Sequence, residues 1–406
     1  MPTDNRPAVI VVDDAVPHVE AALAGLGVVR RLPGRQIDRR SVRDADVLVT
    51  RTITTVDASL LAGSRVSLVA TATAGVDHID RDALAARNIA FASAAGCNAQ
   101  AVAEYVLAAL VEARATAGPA GVVGFGHVGR RTTALLRAFG MTVYVSDPPL
   151  EQRRTLDTRI DRDPRFDAAA RCEPLLPLST LVERCASLSL HVPLHAGGAH
   201  PTVDLIDGQV LSALAADTTV LSTCRGGVVN EEALLAWLAA GRGQAVLDVF
   251  AKEPTLQHPE LLKPGRGVVL ATPHIAGYTH EGKQNATYWT AQAIAEHLGQ
   301  PLQWQPEPSP ARVVRLPDAS DGNAAIVALL RREADLQADA ARLRALAPLL
   351  PRDRGRAFDA MRRTYSLRSE HRSITVAVDD AAGPTADRLR ALGFTVAGRG
   401  RVAQGS

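Results

Sequence analysis

The sequence predicts an α/β protein of doubly wound parallel sheets, and three observations carry that prediction. Short apolar runs alternate with amphipathic stretches through most of the chain, the pattern of βαβ units. One strand-to-helix junction reads Gly124-Phe125-Gly126-His127-Val128-Gly129, a glycine-rich turn of the G-x-G-x-x-G type. The chain is 406 residues long, too long for one ordinary domain and suited to two or three.

Composition narrows the class. Hydrophobic residues make up 47% and aromatics only 4%, so the cores are aliphatic and the chain is not disordered. With 45 Lys+Arg against 43 Asp+Glu, a strongly basic nucleic-acid binder is excluded as the default reading. Nearly all the positive charge is arginine, since Lys252, Lys263 and Lys283 are the only lysines, so a lone arginine means little here. Cys97, Cys172, Cys185 and Cys224 form no CxxC pair, which argues against a disulfide scaffold or a zinc knuckle; no metal is expected. No apolar run has the length of a membrane span, and Met1–Pro7 lacks a signal-peptide pattern, so the expected compartment is the cytoplasm.

In chain order, Val9–Val12 reads as the first strand and His18–Leu26 as a helix. Ala45–Thr50 and Val66–Ala70 are buried strand candidates, followed by a helix over Arg81–Arg87. Residues 100–115 read as a strong amphipathic helix, followed by the breaker Gly118-Pro119. A second series of short strands follows at Met141–Asp147, Ser187–Val192, Thr219–Ser222, Gln244–Asp248 and Gly267–Leu270. Residues 151–171 are rich in Arg and Asp and read as a surface excursion. The proline-rich stretch 301–319 has linker composition. Beyond it come one long helical pattern over Ala324–Leu350, a helix over Gly355–Leu367, a strand over Ser373–Asp379 and a last helix over Pro384–Leu392. The domains read as 1–97 with 274–300, then 98–273, then a small α+β domain over 320–406.

The glycine turn carries the first chemistry. Gly124 permits the tight turn, Gly126 lets the backbone approach a pyrophosphate, and Gly129 lets helix and strand pack closely. The helix that follows offers its positive dipole end to phosphate. Asp147, at the end of the next strand, suits the ribose hydroxyls of a dinucleotide and repels a 2′-phosphate, which favours NAD over NADP. Further on, Arg225, Glu253 and His274 stand just past the C-terminal ends of three strands, the edge where parallel sheets bind ligands. An arginine there forks onto a carboxylate, a histidine exchanges a proton with a hydroxyl, and a glutamate supports the imidazole.

These segments together resemble the NAD-dependent D-2-hydroxyacid dehydrogenases: the loop, Asp147, Cys224–Asn230, Asp248–Pro254 and Pro273–Gly277. Thr71–Asp80, Ala95–Ala99, His274–Lys283 and the chain beyond 320 resemble one branch of that family, which acts on a phosphorylated 2-hydroxy acid. The resemblance implies Arg225 as carboxylate binder, His274 as acid/base and Glu253 as its partner. It implies cofactor contacts from Gly124, Gly126, His127, Val128, Gly129, Asp147, Val192, Thr223, Cys224, Arg225, Asp248 and Gly277. It implies a substrate pocket with Thr52, Thr73 and Tyr278, and dimerisation through 320–406; Arg51 joins the pocket by its place at a strand end beside Thr52. The implied reaction is hydride transfer from C2 of 4-phospho-D-erythronate to NAD, on the way to pyridoxal 5′-phosphate. A sibling dehydrogenase for glycerate or phosphoglycerate, or a non-catalytic NAD-sensing protein on the same fold, stays open as an alternative. For the substrate phosphate, Arg51 is the first candidate, with Arg35 or an arginine of Arg362–Arg368 from a second copy as further sources. The plainer reading of Arg362–Arg368 is a solvated helix face. Phe250 and Lys252 stand where the family usually has Trp and Gly.

Overall fold

The structure, a computed structural model, describes residues 6–156, 173–318 and 321–398. The chain folds into two compact units, each with its own parallel sheet, and passes between them at 98/99, 278/279 and 309/310.

The first unit holds β1 (Val9–Asp13), β2 (Val28–Leu32), β3 (Val47–Thr50), β4 (Leu68–Thr71) and β5 (Ala90–Ser93), ordered β2-β1-β3-β4-β5 and all parallel. β3 and β4 are buried along their whole length, which is why they read as unbroken apolar runs. β2 escapes sequence reading because it is an edge strand carrying Arg30 and Arg31 toward solvent. The helix His280–Leu298 returns to this unit. It sets Ala291, Ile294 and Ala295 against Ile10, Val12, Val47 and Val49.

The second unit holds β6 (Ala120–Val123), β7 (Val143–Ser146), β8 (Ser187–Leu190), β9 (Thr218–Ser222), β10 (Gly243–Leu247) and β11 (Val268–Ala271), ordered β11-β10-β9-β8-β6-β7 and all parallel. The winding reverses between β6 and β8, the switch point at which such sheets open a crevice.

The C-terminal part forms a small parallel sheet of β12 (Arg312–Arg315), β13 (Ile374–Val378) and β14 (Thr395–Gly398). Its helices do not stand apart. Ile326, Leu329 and Leu330 share one core with Val106, Leu110 and Leu136. The cause lies in the helix Ala99–Glu112, expected to be amphipathic but buried on every side from Ala101 to Val111, so that it needs cover beyond what its own sheet provides. Arg331 seals the contact by donating to the Val111 carbonyl at 3.0 Å.

Several sequence expectations shift. β12 lies inside the stretch read as linker, where two valines between arginines were too short a signal. The long helix expected over Ala324–Leu350 is two, Gly322–Ala334 and Leu336–Arg344, broken at Asp335, whose φ is 44°. Such a left-handed residue ends an α-helix. From residue 157, the polar excursion 151–171 falls outside the described residues; before it runs the helix Pro148–Leu156. Among the described residues, no helix is long and apolar enough to cross a membrane.

Candidate active site

At the switch point β6 runs into the glycine turn, and the helix His127–Phe139 starts directly from Gly126. A Cβ on Gly129 would lie 1.9 Å from the Gly124 carbonyl oxygen, so helix and turn pack at a distance only glycine allows. A Cβ on Gly126 would meet nothing within 4 Å, and His127 is exposed beside it. The space before the helix N-terminus is therefore open, as a pyrophosphate site requires. Asp147 follows β7. Its carboxylate accepts from Phe125 N–H at 2.7 Å and from Leu150 N–H at 2.9 Å, tying it to the glycine turn and to the next helix.

Across the switch point, His191 pairs with Ser189 at 2.9 Å, and burial pushes it down to about 3, so it stays neutral. Val192 beside it is half-buried. After β9 come Thr223 and Cys224, both buried. Among the described residues Thr223 Oγ1 has no hydrogen-bond partner, as suits a hydroxyl that meets a cofactor. Burial pushes the Cys224 thiol up, so it is a packing residue and not a nucleophile.

The three chemical residues belong to one unit, two of them in direct contact. Arg225 donates to its neighbour's carbonyl, Cys224, at 2.7 Å. A Cβ on Gly226 would lie 1.9 Å from the Phe250 carbonyl oxygen, so the Arg225 turn presses directly on the loop that carries Glu253. Glu253 Oε2 meets His274 Nδ1 at 2.8 Å, and its Oε1 accepts from Phe250 N–H at 2.9 Å. Burial pushes the Glu253 carboxyl up, but the imidazole and the Phe250 amide outweigh it and hold it below the usual carboxylate range. An ionised Glu253 places the proton on Nδ1 and leaves the Nε2 lone pair free for a substrate hydroxyl. His274 retains 32% exposure and Glu253 18%, so the ring is reachable while its partner is largely covered.

The backbone around this pair is strained. His274 has φ 57° and Lys252 φ 56°, both in the left-handed region. At 252 this is a backbone region that favours the glycine the resemblance leads one to expect there. Asp248 is 0% exposed and accepts from Thr272 Oγ1 at 2.6 Å, Ile275 N–H at 2.8 Å and Ala276 N–H at 2.9 Å. Burial pushes its carboxyl up against these donors. Tyr105, within the buried helix, closes the chain with a 2.6 Å bond to Thr272.

Sequence reasoning missed the next layer. Arg362 and Arg368 are no solvated face. Arg362 stands 5.7 Å from the Tyr278 ring, and Arg368 donates to the carbonyls of Ala276 at 2.7 Å and Ile275 at 3.3 Å. Tyr278 also meets the edge of Tyr365 at 6.0 Å. The half-buried Gly277 lies between these contacts. The arginine-rich composition hid the signal, because no single arginine stood out.

In the first unit, the expected substrate residues sit at the C-terminal ends of β3 and β4. Arg51 Nε lies 3.3 Å from the fully buried Asp13 carboxylate. Thr52 is exposed, and Thr73 bonds Thr71 at 2.8 Å and the Gly75 carbonyl at 2.9 Å. Arg35 is exposed in the turn Gly34–Gln36.

Residues 100–276 match the model of the D-isomer specific 2-hydroxyacid dehydrogenase NAD binding domain. The fold matches a D-lactate dehydrogenase from Aquifex aeolicus solved with NAD and lactic acid, at TM-score 0.57 and 22% identity, over 72% of this chain and 96% of that one. Whole-chain relatives are closer. The erythronate-4-phosphate dehydrogenase of Marinobacter nauticus is 38% identical over 95% of this chain and 98% of its own. That of Pectobacterium carotovorum is 39% identical over 96% and 99%. The chain belongs to the erythronate-4-phosphate dehydrogenase family. As a member it is an NAD-dependent oxidoreductase, and Asp147, Arg225, Glu253 and His274 fall within residues 100–276, the stretch that matches the NAD-binding domain. The erythronate-4-phosphate dehydrogenase match runs through residues beyond the NAD-binding model, which places the C-terminal part within the family's common length.

Proposed function

We propose that this chain oxidises 4-phospho-D-erythronate to 2-oxo-3-hydroxy-4-phosphobutanoate with NAD, in pyridoxal 5′-phosphate biosynthesis. The 2.8 Å Glu253–His274 pair carries the reading, because it sets a proton acceptor beside the Arg225 turn in an NAD-binding domain. Bound NAD supplies the hydride acceptor for C2 of the substrate. Arg225 holds the substrate carboxylate in a bidentate fork. His274 Nε2 takes the C2 hydroxyl proton, and Glu253 stabilises the resulting imidazolium. Gly124, Gly126, His127, Val128 and Gly129 would hold the dinucleotide's pyrophosphate, and Val192, Thr223, Cys224, Asp248 and Gly277 would line the rest of its path. Thr52, Thr73 and Tyr278 line the substrate pocket. The enzyme works in the cytoplasm as a homodimer joined through residues 320–406. The deciding assay follows NADH formation with 4-phosphoerythronate, erythronate, glycerate and 3-phosphoglycerate. Preference for the first supports the reading, and preference for either glycerate compound reassigns the chain to a sibling activity.

Two residue-level outcomes test the ligand sites. Asp147→Ala is expected to raise the Kd for NAD about tenfold and to narrow the gap to NADP, as loss of a charged hydrogen bond to the ribose requires. Fluorescence titration with both cofactors measures it, and a parent protein that prefers NADP would show the ribose acid to be misassigned. Arg51→Ala is expected to raise KM for the phosphorylated substrate at least about tenfold, from one lost charged bond of about 1.5–3 kcal/mol. Its effect on unphosphorylated erythronate should be small. Equal losses on both substrates would make Arg51 a structural partner of Asp13 instead.

A further inference from the structure

The described residues of the C-terminal part reach back onto both loops of the Glu253–His274 pair. After β10, Asp248 accepts hydrogen bonds from the amides of Ile275 and Ala276, the two residues that follow His274. Arg368 donates to the carbonyls of the same two residues, at 3.3 and 2.7 Å. The N–H edge and the C=O edge of one two-residue segment are thus held by opposite charges from different parts of the chain. The Arg368 amide adds a 3.4 Å contact to the Tyr278 carbonyl, and its guanidinium lies 5.5 Å from the Tyr105 ring.

The other loop is gripped as well. Arg354, 5% exposed near the start of the helix Pro351–Arg363, donates to the Thr255 carbonyl at 3.0 Å and the Leu256 carbonyl at 3.4 Å. It also donates to Leu349 at 2.6 Å, which fixes it to its own segment. Between the two arginines, Tyr365 donates to Asp339 at 3.0 Å. Just beyond them, the His371 amide donates to the Glu104 carboxylate, and its ring bonds the Leu392 carbonyl at 2.8 Å. The brace is therefore anchored at each end.

We propose that Arg368, assisted by Arg354, is a positioning residue for His274, so that the C-terminal part of each chain completes its own catalytic pair. The strained φ of His274 calls for such support, because a left-handed non-glycine residue persists only where its surroundings over-determine it. Asp248 alone fixes one edge of the segment and leaves it free to pivot. Arg368 on the other edge removes that freedom, and the direction of the His274 ring follows from the peptide after it. This proposal rests on the reading of His274 as the proton acceptor.

The test is a double-mutant cycle on full-length protein, with kcat, KM and NAD Kd measured for Arg368→Ala, His274→Gln and the double variant. Arg368→Ala is expected to lower kcat about 10–30-fold, the scale of a lost charged hydrogen bond, with NAD Kd within about twofold. In the His274→Gln background the same change should lower the residual rate less than about twofold, because the group it positions is gone. Arg368→Lys should recover part of the loss, since an ammonium reaches one carbonyl but does not span two as a guanidinium fork does. Where Arg368→Ala fails to fold, Arg368→Lys and Arg368→Gln carry the same cycle. Equal losses with and without His274, or a kcat in Arg368→Ala within about twofold of the parent, overturn the proposal and leave the function standing. Full activity in His274→Gln overturns the function on which the proposal rests.

Discussion

Replacing His274 by glutamine is expected to lower kcat by about 10²–10⁴-fold while the NAD Kd stays within about twofold. Glutamine keeps roughly the reach of the imidazole and offers an amide to Glu253, so the 2.8 Å contact has a successor. It offers no basic lone pair where Nε2 stood. The substrate hydroxyl then releases its proton to water, which is not aligned with C2, and the barrier rises by what general-base catalysis supplied. Steady-state rates and fluorescence titration on the same preparation separate chemistry from binding. A variant with near-parent kcat removes His274 from the mechanism. A variant that loses NAD affinity in proportion to rate makes His274 a cofactor contact instead.

The parts of this molecule that the sequence displays are those where local pattern and tertiary role agree. β3, β4, β6 and β9 are buried along their length; β3 and β4 read as compact apolar runs, β9 as a short strand, and β6 only from Val122 and Val123 before the glycine turn. The glycine turn is legible because Gly129 answers to one steric demand, a 1.9 Å approach to a carbonyl that no side chain tolerates. Arg225, Glu253 and His274 are legible by position, as polar groups just past strand ends, and by resemblance. The Glu253–His274 contact is legible from the residue types and the resemblance, while nothing in the spacing of 253 and 274 states that the carboxylate reaches Nδ1.

What stayed hidden lies in long-range polar ties and in edges. β2 and β12 carry arginines at solvent-facing positions, which breaks the apolar signal of an edge strand. The break at Asp335 is a single backbone choice inside a continuous helical pattern. Arg354 and Arg368 form their bonds across 99 and 92 residues, and a chain this rich in arginine gives neither of them prominence. Residues 101–111 are apolar apart from Glu104, and that was the available clue that something beyond the Rossmann sheet covers the helix.

Glu253→Gln gives the second large effect, expected at about 10²–10³-fold in kcat, by the logic that a neutral isostere of a base-orienting carboxylate keeps the geometry and spoils the tautomer. Glu253 accepts two bonds at once, from Phe250 N–H at 2.9 Å and His274 Nδ1 at 2.8 Å. Glutamine has one oxygen. If that oxygen stays on the Phe250 amide, the NH₂ faces Nδ1 and drives the ring proton to Nε2, the position that has to accept. The parent carboxyl is held below the usual carboxylate range, so glutamine replaces an ionised acceptor and not a neutral acid. Steady-state rates with saturating NAD check the outcome. A plateau that holds within about threefold of the parent would break the link between Glu253 and His274, since the partner of a general base sets its tautomer.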